Sequence, residues 1–321
     1  MKKVAILVTR NYKLLSLAAI VEVLDTANSL YQEKNKPKPF ELHLLGVDDF
    51  SMGNAYYSYR VIPVERLKKP DLVMVPAFNS NSLPEAISEN AAIIPWIQQQ
   101  FSEGAEVASF CTGAFLLAAA GVLNGRAATT HVDAGQVFAR TFPQVKLMLD
   151  KTLTIDDRAY TSGGATSSFH LLLHLVGRYC DKTTAIRIAK IFAIDMDRHN
   201  QSYFGSFDPA YDHNDDLVAS AQKKIESSYQ DAGTIEEMIK DIPASRRNIV
   251  RRFKQVTGLT PIEYLQQVRV AAAKKLLENT SQQMSDVVFN AGYNDAKAFR
   301  KVFRKAVGMT PSEYREKFQV R

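Results

Sequence analysis

Phe253-Lys254-Gln255-Val256-Thr257-Gly258-Leu259-Thr260-Pro261-Ile262-Glu263-Tyr264 recurs fifty positions on as Phe303-Arg304-Lys305-Ala306-Val307-Gly308-Met309-Thr310-Pro311-Ser312-Glu313-Tyr314. The shared residues have physical jobs. Gly258 and Gly308 suit the left-handed residue that closes a helix. Thr260 and Thr310 are N-caps, Pro261 and Pro311 take the first helical position, and Glu263 and Glu313 complete capping boxes. Ahead of the first copy, Thr234-Ile235-Glu236-Glu237 opens a helix by another capping box, and Ile242-Pro243-Ala244 turns the chain into a helix over 245–256. Ahead of the second, a helix over 285–290 and the turn Ala291-Gly292-Tyr293 lead into a helix over 295–307. A short helix, a Gly- or Pro-containing turn and a basic amphipathic helix make a helix-turn-helix, and the pattern occurs twice. A long helix over 261–279 joins the copies, with Leu265, Val268, Ala272, Leu276 and Leu277 expected on one face.

The charge follows the repeat. Of the net +6, all lies from Asp215 onward, where 19 basic residues face 13 acidic ones. Arg246, Arg247, Arg251, Arg252 and Lys254 fall within nine positions, as do Lys297, Arg300, Lys301, Arg304 and Lys305, and neither run contains an acid. One such run is an ordinary solvated helix face. Two, on the same side of a repeated motif, suggest a surface facing phosphate.

Gly292-Tyr293-Asn294-Asp295-Ala296-Lys297-Ala298-Phe299-Arg300-Lys301-Val302-Phe303-Arg304-Lys305, followed by Gly308-Met309-Thr310-Pro311-Ser312-Glu313-Tyr314-Arg315, resembles the AraC/XylS transcription-regulator signature nearly end to end. The resemblance covers about residues 217–317. It implies that the helices opened by Ser245 and Asp295 each enter a major groove of double-stranded DNA, about 34 Å apart. It places Arg247, Val250 and Arg251 of the first helix, and Ala296, Lys297 and Lys301 of the second, toward the bases. Ser245, Arg246, Asn248 and Arg300 complete the candidate DNA-binding set. Arg252, Lys254, Arg300, Arg304 and Lys305 are expected at phosphate or solvent. Arg247 and Arg251 can each read a guanine edge bidentately, worth about 1–3 kcal/mol of discrimination. Ala296 and Ala298 offer only methyl contacts, so the first helix is expected to carry more of the specificity.

The first two hundred residues alternate in the manner of an α/β domain. Short apolar runs at 4–8, 42–46, 72–76 and 107–110 read as buried parallel strands. Helical patterns separate them at 14–30, 91–101 and 113–120, with two more at 165–178 and 183–195. The expected fold is an open, mostly parallel, flavodoxin-like sheet with helices on both faces, followed by an all-α region with two helix-turn-helix motifs. With 46% apolar residues, 23% charged and two cysteines, the chain can build a packed core and is not a disulfide scaffold. No apolar run approaches the roughly 18 residues that read as a membrane span. A cytoplasmic, nucleoid-associated protein without membrane contact is expected. The boundaries read as a domain over 1–200, a linker over 201–216 and a DNA-binding domain over 217–321. The linker aromatics Tyr203, Phe204, Phe207 and Tyr211 are expected to dock on the first domain.

Val107-Ala108-Ser109-Phe110-Cys111-Thr112-Gly113-Ala114-Phe115 takes a strand straight into a cysteine and then an Ala-rich helix, with Gly113 permitting close approach. That is a nucleophile-elbow layout with Cys in place of Ser. A thiol there is expected to have a lowered pKa. A small buried apolar cysteine fits the local sequence equally. The longer string through Ala120-Gly121-Val122-Leu123-Asn124-Gly125-Arg126-Ala127-Ala128-Thr129-Thr130-His131 resembles the PfpI-like branch of the class I glutamine-amidotransferase superfamily, in the form found as the sensor half of AraC-type regulators. This resemblance covers roughly residues 3–201. It implies an effector pocket built from Cys111, Thr112, Gly113, His131 and Gly164, with Glu22 beside the thiol to hydrogen-bond it or move a proton.

The departures argue against catalysis. Thr112 stands where peptide-cleaving members carry His, and none of the six histidines has Glu two positions later. Cys111 thus lacks an evident base and orienter. His170 and His174 lie four apart on one helix but without the Glu and third ligand of a zinc site, so no metal or cofactor is expected. The reading is a one-component regulator that binds DNA, senses a small-molecule effector at Cys111, forms a homodimer and engages RNA polymerase. The rivals are a Cys-dependent hydrolase or hydratase, or a redox sensor, fused to a DNA-binding domain.

Overall fold

The computed structural model describes residues 1–47, 50–51, 59–79, 83–164, 166–197, 200–207, 209, 211, 213–231 and 233–319. The chain divides into two compact units, Met1–Gln201 and Ser202–Arg321.

The first unit runs β1 (Lys2–Leu7), α1 (Leu14–Gln32), β2 (Phe40–Gly46), β3 (Phe50–Ser51), β4 (Arg60–Pro63), β5 (Leu72–Val75), α2 (Leu83–Glu89), α3 (Ile94–Ser102), β6 (Glu106–Phe110), α4 (Ala114–Ala119), β7 (Ala127–Ala128), α5 (Gly135–Thr141), β8 (Lys146–Leu147), β9 (Leu153–Asp156), β10 (Ala159–Ser162), α6 (Ser167–Tyr179) and α7 (Lys182–Ile191). An eight-stranded sheet has the order β3-β4-β2-β1-β5-β6-β10-β9. The inner pairs are parallel, and the edge strands β3 and β9 are antiparallel to their neighbours. Alternation along each strand sends Val4, Ile6, Met74, Ala108 and Phe110 to one face, under α1, α6 and α7. Ala5, Leu7, Val73, Val75 and Val107 go to the other, under α2 to α5. This is the open α/β sheet expected, with more strands than the apolar runs revealed.

By length and composition α1 would pass as a membrane span, the one such helix among the described residues. Its apolar residues are spent on the sheet: Leu17, Ile20, Val23, Leu24 and Ala27 are buried in the core. That apolar character belongs to a helix packed inside a doubly covered sheet.

The second unit is helical: α8 (Asp216–Ser228), α9 (Ile235–Met238), α10 (Arg246–Thr257), α11 (Pro261–Asn279), α12 (Met284–Asn290), α13 (Ala296–Val307) and α14 (Pro311–Phe318). The expected capping boxes form at Thr234–Glu237, Thr260–Glu263 and Thr310–Glu313. Gly258 and Gly308 close α10 and α13 at φ of 80° and 83°. Two cores result. Val218, Ile225, Ile249, Phe253, Tyr264 and Leu265 form one, and Val270, Ala273, Leu277, Val287, Phe299, Phe303 and Tyr314 the other. The single apolar face expected for α11 is therefore corrected. Its N-terminal half serves the first core and its C-terminal half the second, so the buried set shifts to Tyr264, Leu265, Val270, Ala273 and Leu277.

The linker aromatics lie on this second unit. Tyr203 and Phe204 pack on Phe318, at ring separations of 6.1 and 6.0 Å, and Phe207 meets Tyr264 edge-on at 5.2 Å. The Tyr211 hydroxyl donates to Glu226 Oε2 at 2.7 Å. These rings, expected at the first domain, pack against the helices that follow them.

Candidate functional site

Helices α10 and α13 present equivalent surfaces. Each buries one stripe, Ile249, Phe253 and Thr257 in the first and Phe299, Phe303 and Val307 in the second, fifty residues on. The opposite face is exposed and basic. In α10 it carries Arg246, Arg247, Arg251 and Lys254; in α13 it carries Ala296, Lys297, Ala298, Arg300, Lys301, Arg304 and Lys305. Val250 and Asn248 are half-buried at the margin of the first helix. Ser245 and Asp295 are spent as N-caps, accepting from the Asn248 and Lys297 backbone N–H groups at 3.3 and 2.8 Å.

The cations of α10 are not all free. Arg246 pairs with Glu236 of α9 at 2.5 Å. Arg252 donates through Nε and Nη2 to the two carboxylate oxygens of Asp215, at 2.9 and 2.8 Å. The sequence placed Arg252 at phosphate or solvent; the fold commits it to the residue that caps α8. Arg251 Nη2 donates to Asn248 Oδ1 at 3.1 Å, which restrains a long side chain before any partner arrives. Arg247, Lys297, Arg300 and Lys301 have no ion pair among the described residues.

In the first unit the elbow is real in its backbone. Cys111 sits at φ 54°, a region non-glycine residues avoid, between the end of β6 and the short turn into α4. Gly113 is needed there, because a Cβ would come within 2.3 Å of the Val75 carbonyl oxygen. The Thr112 hydroxyl donates to Phe78 O at 2.8 Å and accepts from Phe78 N–H at 2.9 Å, pinning the elbow to the chain after β5. The Thr130 hydroxyl donates to the Cys111 carbonyl at 3.0 Å, bringing the His131 loop to the same place. A Cβ on Gly164 would lie 3.6 Å from the His131 ring. Cys111, Thr112, Gly113, His131 and Gly164 are thus drawn together at the C-terminal ends of β5, β6 and β10, where open α/β sheets hold ligands.

The electrostatics contradict an activated thiol. Cys111 is 1% exposed. Burial pushes its pKa up, against a weaker opposing pull from Lys13 and Thr112. The lowered pKa expected of an elbow cysteine is therefore corrected: desolvation outweighs the Lys13 charge and the Thr112 hydrogen bonds. Burial also lowers the His131 pKa, with Lys13 adding to the effect and Asp133 opposing it, so the ring is neutral near pH 7. Its Nδ1 accepts from Asp133 N–H at 3.3 Å, which leaves Nε2 as the donor, on the Gly164 side.

Glu22 stands apart from these residues in sequence, on α1. It lies two turns into α1, about 12 Å along the axis from the helix start, and its charge acts on Tyr59, whose hydroxyl bonds Asp25. The charge acting on both Cys111 and His131 is Lys13, the residue preceding α1. Sequence reading missed Lys13 because its motif match began deeper in the helix. It also missed Gln201, whose Nε2 lies 3.1 Å from Thr129 Oγ1 and 3.0 Å from Thr130 O, while Oε1 accepts from Gly164 N–H at 3.0 Å. This one buried amide ties the His131 loop to the Gly164 turn, and nothing local in the sequence marks it. His170 Nε2 donates to the Asp195 carbonyl at 2.8 Å, and no group of three metal-ligating side chains occurs among the described residues.

A helix-turn-helix domain family model matches residues 239–317, and the DJ-1/PfpI family model matches residues 54–178. The HTH-type transcriptional regulator GbdR of Pseudomonas aeruginosa is 24% identical over 326 residues, spanning 98% of this chain and 84% of that protein. The regulator CdhR of the same species is 24% identical over 309 residues, spanning 95% of this chain and 88% of that protein. Among solved structures, an AraC family transcriptional regulator from Pseudomonas putida matches with a TM-score of 0.48 and 19% identity, covering 60% of this chain and all of that one. Both units thus have family counterparts in the same order, and the relatives spanning nearly the whole chain are regulators rather than enzymes. The chain belongs to the AraC-type DNA-binding transcriptional regulators that carry a DJ-1/PfpI domain ahead of their helix-turn-helix motifs.

Proposed function

We propose that the first unit is an effector receptor whose pocket is formed by Cys111, Thr112, Gly113, His131 and Gly164, with Lys13 at its rim, and that occupancy changes how the second unit engages DNA. The observation that carries this is the state of Cys111: strained at φ 54° yet buried, with burial raising its pKa against Lys13 and Thr112. Such a residue shapes a pocket and does not turn substrate over. Effector acts through different affinities for two arrangements of the regulator. The regulator works as a homodimer in the cytoplasm, at the nucleoid, and recruits or blocks RNA polymerase.

A thermal-shift screen of metabolites against the full chain and its Gly164→Leu variant tests the pocket. A hit that raises the melting temperature of the wild type but not of the variant supports it, since ligand bound only to the native state stabilises by mass action. Equal shifts in both would place the receptor elsewhere. Sedimentation of the full chain reads the dimer directly.

A further inference from the structure

A protein that reads two stretches of DNA with two helices gains from the second only if their separation is held. Helix α11 passes through both cores of the second unit and fixes distance along its own axis. A helix alone leaves the second motif free to swing about that axis. Arg269, near the middle of α11, removes the freedom. Its Nε donates to the Tyr229 carbonyl at 2.8 Å and its Nη2 to the Asp231 carbonyl at 2.9 Å, both just past the end of α8, whose Val218, Ala221 and Ile225 share the core of the first motif. The same guanidinium lies over the ring of Tyr293, 5.2 Å from its centroid, and Tyr293 stands in the turn of the second motif.

The backbones meet there as well. Gly292 has φ 82°, and a Cβ on it would fall 2.1 Å from the Tyr229 carbonyl oxygen and 2.8 Å from Arg269 Nε. Gln230 Nε2 donates to the Asn290 carbonyl at 3.3 Å. The end of α8 and the turn between α12 and α13 are thus in direct contact, with one planar fork bonded to the first and stacked on the second. A lysine cannot replace it, because an ammonium lacks the flat face and the paired donors.

We infer that Arg269 is a positioning residue that sets the separation between the two DNA blocks read by α10 and α13. This rests on the reading of those helices as groove-entering. The test is selection from a random duplex library, at low salt, by the full chain and by its Arg269→Ala and Arg269→Lys variants, followed by sequencing. The wild type recovers two blocks at one separation. Arg269→Ala recovers the same blocks scattered over separations differing by about one or two base pairs, each shifting the second block by about 3.4 Å. Unchanged base content within each block separates a loosened clasp from a damaged motif. Arg269→Lys keeps the charge and the helix propensity, so it guards against misfolding, and it scatters the separation too. A single sharp separation in either folded variant overturns the inference. A wild-type selection yielding one block alone overturns instead the two-groove reading beneath it.

Discussion

Arg252 of α10 holds both carboxylate oxygens of Asp215, and Asp215 in turn accepts from the Val218 backbone N–H at the start of α8. One carboxylate therefore caps one helix and anchors the next. Burial alone would raise its pKa, but the Arg252 guanidinium and the Val218 N–H hold it below the ordinary carboxylate value. A depressed carboxyl contributes stability above its unfolded pKa, near 3.9, and loses it as pH falls through the lower folded value. Asp215→Ala should cost about 1–2 kcal/mol at pH 7, from the cap and the half-buried pair together. The cost should vanish in acid well below pH 4. Urea unfolding of both proteins at pH 7 and in acid checks the sign; a penalty that grows in acid would contradict it.

The same pair separates structural from DNA-facing cations. Arg252→Ala should destabilise the unit yet leave the dependence of DNA affinity on salt unchanged. Arg300→Ala, from the exposed face of α13, should reduce the slope of log affinity against log salt by about one. Titrations of selected DNA at several salt concentrations decide it, and equal slopes for the two variants would refute the assignment.

Base preference should reside in Arg247 and Arg251. Replacing either by Ala should relax selection at one or more positions, by about 1–3 kcal/mol against the wrong base. Asn248→Ala should weaken the Arg251 effect without abolishing it, since it frees the side chain that Asn248 restrains. Sequence logos from parallel selections give the answer; logos identical to the wild type would sink it.

Neither cysteine should label readily at neutral pH. Burial raises the Cys111 pKa, and burial moves Cys180 up to about 11 against the pull of the Tyr31 hydrogen bond, with a smaller push from Asp181. A raised pKa means little thiolate at pH 7 and a labelling rate still climbing at pH 9. Rapid, saturating reaction of one native thiol with a disulfide reagent at pH 7 would revive the redox sensor.

Gly113→Ala should be severe. The added methyl meets the Val75 carbonyl at 2.3 Å and the Pro76 carbonyl at 2.8 Å, both backbone atoms of the central sheet and its exit. A cost of about 2 kcal/mol or more is expected, read as a lower unfolding midpoint. An unchanged midpoint would mean the elbow can open.

The second unit was legible because its determinants are local. Caps, Pro at the first helical turn and Gly at the last act within a few residues, so the Thr-Pro-x-Glu-Tyr pattern could be read directly as helix boundaries. Strands β1, β2, β5 and β6 announced themselves as apolar runs because both their faces are covered. The β9–β10 hairpin did not, since Thr154, Thr161 and Ser162 are buried polar residues: Thr154 bonds Thr161 across the hairpin, while Thr161 and Ser162 also meet Thr129 and Ser109, distant in sequence. The pocket was half legible for the same reason. The Cys111 elbow is a local backbone event, but Lys13 and Gln201 reach it from elements far along the chain. The motif match that singled out Glu22 lay within α1 and carried no information about which end of the helix meets the elbow. In sequence Arg246 and Arg252 looked as free to meet DNA as Arg247, and only the positions of α8 and α9 commit them elsewhere.

Helix α11 lends Tyr264 and Leu265 to one core and Val270, Ala273 and Leu277 to the other. Neither motif can therefore melt without stripping a wall from its neighbour. A regulator built this way has no half-armed form that grips a single block and blocks a promoter by accident. In the cell each copy is a complete reader or no reader, and the concentration of functional regulator follows one folding equilibrium rather than two.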